Sequence, residues 1–314
     1  MRRVPDTSTS RRALLCGFAG SLAGLTVPRW ISVGYAADGI SLTPMAEKLT
    51  LLTGAGCNVL VLTTSDGQVL VDTGEGRARD ALLSTLNELP GEGVTAVFNT
   101  HWHREQVGSN EALGNAGATI FAHEKTRLKL ATGYYLPDED RYQAPLPAAA
   151  LPTETFYDAG ATVVGGQRIE YGYLIAAHTD GDIYVAFPEL NVIATGDIIS
   201  PESDPIFDWF GGGWLGGRID ALARLLELGN DATRFVPGNG PVVSRAAIQT
   251  EHDTMLELFE RMVEHIRLGE SPEDLLETGV LEGLGRSFND PYRLVYDLHK
   301  GFWAHHNKLM HDIV

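Results

Sequence analysis

Cysteine is almost missing from this sequence. Its 314 residues hold two, Cys16 and Cys57, and Cys16 falls in an N-terminal segment that reads as removable. A single remaining thiol forbids an intrachain disulfide and a thiolate cluster, so any bound ion must rest on histidine and carboxylate. Basic charge is also short: 24 Lys and Arg stand against 41 Asp and Glu, a formal net charge of −17. That balance argues against nucleic acid or an anionic membrane surface as a partner. The apolar run Ala13 to Val27 is too short to span a bilayer as a mature helix. Nothing in the composition indicates disorder or repeats. What is present, 44% hydrophobic residues, suffices for a substantial globular core.

The N-terminus carries Arg2, Arg3, Arg11 and Arg12, then that apolar run, then a small-x-small pair at Gly34 and Ala36. This order predicts an export signal over residues 1–36. "SRRALL" (Ser10 to Leu15) resembles a twin-arginine signal, which implies export of a folded chain to the periplasm. An ordinary secretory signal is the alternative. A lipoprotein reading of Cys16 fails because Leu15 stands where a small residue is required. Cleavage removes five Lys/Arg and one Asp, which moves the net charge from −17 to −21.

Two hydrophobic periods alternate along the rest. Strands are predicted at Lys48–Thr53, Asn58–Thr64, Gln68–Gly74, Val94–Thr100, Ala118–His123, Arg168–His178, Ile183–Phe187 and Asn191–Asp197. "SDG" at Ser65–Gly67 reads as a hairpin turn. Helices fit Gly76–Leu89, the segments after Val107 and Glu124, Arg218–Leu228, and most of the chain from Ser244 onward. Hairpins mixed with strand-helix units predict sheets covered by helices.

Metal-type side chains gather at the ends of these strands. His101 and His103 in "NTHWHREQ" are two residues apart on an extended segment, so they face the same way and can share one ion, while Trp102 points elsewhere. His178 in "AAHTDGD" and Asp197 in "ATGD" end two further strands in Gly-flanked turns.

These motifs, with the early "VLVDTG" and the late "VPGNGPV", resemble in order those of the metallo-β-lactamase fold superfamily, from about Lys48 to Val243. The resemblance implies an α+β, four-layer αββα sandwich over residues 37–270 with a metal site along one edge, followed by a helical C-terminal extension over residues 271–314. It implies a first metal site of His101, His103 and His178, with Asp197 as the bridge to a second. The family's H-x-H-x-D-H pattern is altered here: Glu105 holds the Asp position, Gln106 the following His, and Asn239 the late His of PGHG.

Three imidazoles and a solvent molecule suit a catalytic Zn²⁺. Carboxamides are weak, hard ligands for zinc, so the second site is expected to be weak or empty. The expectation is a mononuclear zinc hydrolase acting on a small molecule with a carbonyl-type bond (ester, lactone, thioester or β-lactam), with Asp197 or Glu105 orienting the nucleophile. Asp72 is a candidate acceptor behind a ligand histidine, or a turn cap. Two alternatives stay open. His101, His178 and Asp197 could hold one iron in a persulfide-dioxygenase-like oxidoreductase, or the chain could be a non-catalytic binding member of the fold.

Two loops rich in Gly, Pro and aromatic residues offer a pocket, with Tyr134, Tyr135, Trp209 and Trp214 as walls and Arg218 as a carboxylate anchor. The terminal His299, His305, His306 and His311 read as part of an amphipathic helix packing Phe302, Trp303 and Leu309 on a neighbour, not as a metal site. That helical tail caps the domain or mediates a homodimer.

Overall fold

The computed structural model describes residues 34–35, 39–136 and 140–305. In chain order the strands are β1 (Gly34–Tyr35), β2 (Ser41–Ala46), β3 (Leu49–Thr53), β4 (Val59–Thr64), β5 (Gly67–Val71), β6 (Val94–Phe98), β7 (Thr119–His123), β8 (Tyr134–Leu136), β9 (Arg141–Gln143), β10 (Glu154–Phe156), β11 (Ala159–Val164), β12 (Gln167–Tyr173), β13 (Ile183–Phe187), β14 (Val192–Gly196), β15 (Arg234–Pro237) and β16 (Val243–Ser244). The helices are α1 (Arg79–Glu88), α2 (Arg104–Val107), α3 (Asn110–Asn115), α4 (Glu124–Thr132), α5 (Leu215–Leu228), α6 (Arg245–Arg267), α7 (Pro272–Glu277) and α8 (Pro291–Ala304). Of the expected signal segment, only Gly34 and Tyr35 are described, and the rest lies outside the described residues. No described helix is long and apolar enough to cross a membrane.

One sheet has the order β1-β2-β3-β4-β5-β6-β7-β10, and a second has the order β11-β12-β13-β14-β15-β16. Side chains alternate faces along each strand, and here both faces are used. On β4, Leu60 and Leu62 join Val69, Val71 and Phe98 against Ile183, Val185, Phe187 and Val236 of the second sheet, forming the core between the sheets. Val59 and Val61 of the same strand point outward to Leu82, Leu86 and Leu113 of α1 and α3. On β13, Tyr184 and Ala186 likewise turn outward to a core built with α5, α6, α7 and α8. Helix, sheet, sheet and helix therefore stack in four layers. Burial on both faces explains why β4, β5 and β13 read as continuous apolar runs.

The parallel pairs β5·β6 and β14·β15 bring four strand ends to one rim of the sandwich. Asn58 ties the sheets together there: its backbone N–H donates to Gly238 O at 2.7 Å, and its amide donates to Pro237 O and Gly240 O at 2.8 and 2.9 Å. The predicted strand Arg168–His178 stops at Tyr173, so His178 sits in a turn five residues further on. The edge strand β11 alternates exposed and half-buried positions, and its small residues Ala159, Gly160 and Ala161 carry too little β-branched signal to be expected.

Candidate metal centre

His101 and His103 follow β6 in a turn, and His103 immediately precedes α2 with extended backbone (φ −66°, ψ 151°). The turn is anchored from inside. Gln106 O accepts from Thr73 N at 2.8 Å, from Thr73 Oγ1 at 3.0 Å and from Asn99 Nδ2 at 3.2 Å. Trp102 points the other way, into a small cluster with Val107, Leu130 and Tyr134. His178 is held by Asp182, whose buried carboxylate accepts from His178 N at 2.6 Å, Thr179 N at 2.8 Å and Thr179 Oγ1 at 2.6 Å. Burial pushes the Asp182 pKa up to about 7 despite those hydrogen bonds.

The ligand atoms of His101, His103 and His178 all lie within 4.8 Å of one another. Their rings meet edge-on in a triangle with centroid separations of 4.7, 4.8 and 4.8 Å. On each ring one nitrogen is engaged from behind. His101 Nδ1 is 3.2 Å from Thr100 Oγ1, His103 Nε2 is 3.0 Å from Asp208 Oδ2, and His178 Nδ1 is 2.9 Å from Ile206 O. The opposite nitrogens face the centre of the triangle. His101 Nε2 is buried there with no hydrogen-bond partner, and His178 Nε2 stands 3.1 Å from His103 Nδ1. Two nitrogens on a tetrahedral zinc with bonds of about 2.0–2.1 Å lie roughly 3.3 Å apart. The three residues therefore fit such an ion, and their outer nitrogens are fixed as ligand histidines require.

Electrostatics agree with that use. Burial, with the neighbouring imidazoles His103 and His178, drives the His101 pKa well below its ordinary value. Burial and His103 bring His178 down to about 4, so both rings are neutral donors. Burial also opposes the charged form of His103, but the hydrogen bond and charge of Asp208 outweigh it and the pKa rises.

Asp197 closes the other side, with Oδ2 at 3.7 Å from His101 Nε2 and 3.8 Å from His178 Nε2. The two residues that replace family imidazoles both turn to this carboxylate. Gln106 Nε2 donates to Asp197 Oδ2 at 3.3 Å, and Asn239 Nδ2 donates to Oδ1 at 3.2 Å. An ionised carboxylate only accepts, so each amide must present its NH₂ and turn its oxygen away. Gly238 is required beside it, because a Cβ there would stand 2.1 Å from Asp197 Oδ1. Gly196 takes a positive φ of 55° where a Cβ would press on Thr100.

Other expected residues are distributed differently. Glu105 lines the cleft rim, 35% exposed, with Oε1 held by Arg104 Nε at 2.9 Å. Asp72, with a left-handed φ of 63°, accepts Thr100 N and Thr100 Oγ1, both at 2.7 Å, and so reaches His101 only through Thr100. Tyr134, Tyr135 and Trp209 line a cleft of about 440 Å³ over the histidines, together with Phe210 and Arg293.

Two pocket expectations are corrected. Trp214 is turned away from the cleft, stacked on His305 and packed against Phe259 and Phe302. Arg218 is fully buried, bonded to Glu251 Oε1 at 3.1 Å and Ser200 Oγ at 3.1 Å, and cannot anchor a ligand in the cleft. At the C-terminus Phe302 is buried but Trp303 is 46% exposed, which corrects the expectation that both pack inward. His299 and His305 bond backbone oxygens of Glu270 and Gly212, while His306, Leu309 and His311 lie outside the described residues. Thr100, Asp182, Ile206 and Asp208 were not singled out in the sequence. Only the His-Thr-x-x-Asp spacing of His178 and Asp182 gave a local signal.

The family model described as "Metallo-beta-lactamase superfamily" matches residues 52–258, about two thirds of the chain. With the four-layer sandwich and the histidine triangle at its rim, this places the chain in the metallo-β-lactamase superfamily. Among individual relatives, metallo-beta-lactamase type 2 of Bacillus cereus is 25% identical over 192 residues, spanning 61% of this chain and 70% of that protein. Among solved structures, a metallo-beta-lactamase from Pontibacter korlensis superposes with a TM-score of 0.55 at 21% identity, covering 69% of this chain and 99% of its own. A stereoselective inverting sec-alkylsulfatase from Pseudomonas sp. gives a TM-score of 0.62 at 16% identity, covering 84% of this chain and 50% of its own. At those identities the two structures share the fold.

Proposed function

We propose that this chain is a hydrolase working with one zinc ion on His101, His103 and His178, and that it cleaves a carbonyl-type bond in a small organic molecule. The observation that carries the single-ion reading is the pair of amide N–H groups from Gln106 and Asn239 on Asp197. They supply to that carboxylate the positive partial charge that a second ion supplies in a two-metal arrangement. When bound, the zinc contributes Lewis acidity and lowers the pKa of its water to about 7.

The protein's own groups do the rest. Asp197 is pinned by its two donors with Oδ2 facing the triangle, where it can accept a proton from the attacking water and return it to the leaving group. Glu105, drawn to Arg104 at the rim, is the weaker candidate for that role. Tyr135, Trp209 and Phe210 give the cleft an aromatic wall, suited to an apolar substrate body. Arg293, on the same cleft and oriented by Asp297 Oδ2 at 2.6 Å, takes the carboxylate-binding part expected of Arg218. Export to the periplasm stays a proposal from the sequence alone.

The test is hydrolysis of an aryl ester, a lactone, a thioester and a β-lactam by zinc-loaded protein, beside His103→Ala. Turnover of any of them that disappears in the variant supports the assignment. Inertness toward all four with zinc bound sinks it, and O₂ consumption with a persulfide substrate by iron-loaded protein would move the chain to the oxidoreductases.

A further inference from the structure

The segment 200–214 supplies two of the three groups that fix the histidines from behind, Ile206 O and Asp208 Oδ2. It is a loop without regular structure among the described residues, and such segments are mobile unless tied down. Within the sandwich it is bonded by Asp180 N to Gly211 O at 2.9 Å, Trp214 N to Ala176 O at 3.1 Å and Arg218 to Ser200 Oγ at 3.1 Å, and further ties come from residues 286–305, which lie beyond the family match ending at 258.

At the entry of the loop, Asp204 accepts the backbone N–H of Asn289 on Oδ1 at 2.9 Å and of Asp290 on Oδ2 at 2.8 Å, bracketing the start of α8. Arg286 donates to Ser203 O at 2.7 Å and Ser200 O at 3.3 Å, and its other nitrogen bonds Glu251 at 2.8 Å. At the exit, His305 Nε2 meets Gly212 O at 3.0 Å and the ring stacks on Trp214 with centroids 5.0 Å apart. Between these brackets Asp208 is held in place by Gly211 N on Oδ1 at 2.7 Å, and its own N–H donates to His178 O at 3.0 Å.

We propose that the C-terminal segment is a positioning device for the metal ligands: Asp204 and His305 clamp the two ends of the loop so that Ile206 and Asp208 meet His178 and His103 at fixed angles. Asp204 and His305 are positioning residues, because they act only through the loop. The inference rests on the histidine triangle being a metal site, and it does not need the hydrolase reading.

Cobalt(II) tests it, since its visible absorption reports ligand geometry and its affinity can be read by competition with a chelator. Asp204→Ala in the full chain is expected to weaken Co²⁺ binding about 10-fold, the lower end of the loss for disturbed groups behind ligands, and to shift the visible bands. Because Asp204 acts through a loop that presents both Asp208 and Ile206, Asp204→Ala/Asp208→Ala should lose clearly less Co²⁺ affinity than the product of the two single losses. Wild-type affinity and bands in Asp204→Ala would overturn the proposal whatever happens to thermal stability, as would losses that multiply in the double variant. Should Asp204→Ala fail to fold, His305→Ala breaks the other clamp and is judged by the same two readouts. A protein that binds cobalt in this pattern but hydrolyses nothing would leave the positioning claim standing and remove the hydrolase assignment.

Discussion

Asp72 acts on His101 through Thr100: the threonine hydroxyl stands 2.7 Å from Asp72 Oδ2 and 3.2 Å from His101 Nδ1. The hydroxyl has one proton. Given to the carboxylate, it leaves the oxygen to accept the His101 Nδ1–H, which keeps Nε2 unprotonated and aimed at the centre of the triangle. Thr100→Val keeps the shape and removes the relay, so zinc affinity measured against a chelator should fall roughly 10- to 100-fold, while Thr100→Ser should retain most of it. Unchanged affinity in Thr100→Val would separate Asp72 from the metal centre.

The altered half of the site makes a prediction in the opposite direction. Glu105→Asp/Gln106→His/Asn239→His restores the family pattern around Asp197, replacing two amide donors by two imidazole ligands. Metal content should rise from about one to about two ions per chain. A triple variant that still holds one ion would mean that something other than these three side chains excludes the second.

The carboxylate contact proposed for Arg293 is tested by substrate charge. Arg293→Met should raise KM about 10-fold for a carboxylate-bearing ester, with kcat little changed, because the lost contact serves ground state and transition state alike. A neutral ester of similar shape should be affected by less than about 2-fold. Equal effects on both esters would place the anionic end of the substrate elsewhere.

Arg218 has a structural consequence instead. It is fully buried against Glu251, which Arg286 also bonds at 2.8 Å. Removing one member of a buried charge network leaves the others uncompensated, so Arg218→Met should cost about 3–5 kcal/mol in a denaturant titration. A loss below about 1 kcal/mol would show that Arg286 alone satisfies Glu251.

The comparison of Arg218 and Arg293 shows what the sequence carried and what it did not. Leu215, Arg218, Leu222 and Leu225 follow the spacing of one buried helix face, so the burial of Arg218 was readable, although its loop-side position suggested a ligand contact. Nothing near Arg293 in sequence marks it as part of the cleft, because α8 reaches that rim only through tertiary packing. Asp208 is likewise 105 residues from the histidine it bonds, and no local period encodes such a contact. The sandwich strands were legible because both faces are buried, and His101 and His103 because a shared ion demands their spacing. The apolar pattern predicts a strand reaching His178, whereas the strand ends at Tyr173. The apolar pattern ran on past the point where Asp182 folds the chain into a turn.

The central claim is one ion, held by three histidines, with amides in place of the second. Elemental mass spectrometry on mature protein, purified without added metal or a histidine tag, measures it directly. The account predicts about one zinc per chain, lost in His103→Ala and retained in Asn239→Ala. Two ions per chain, or one that survives His103→Ala and leaves with Asn239→Ala, would contradict it.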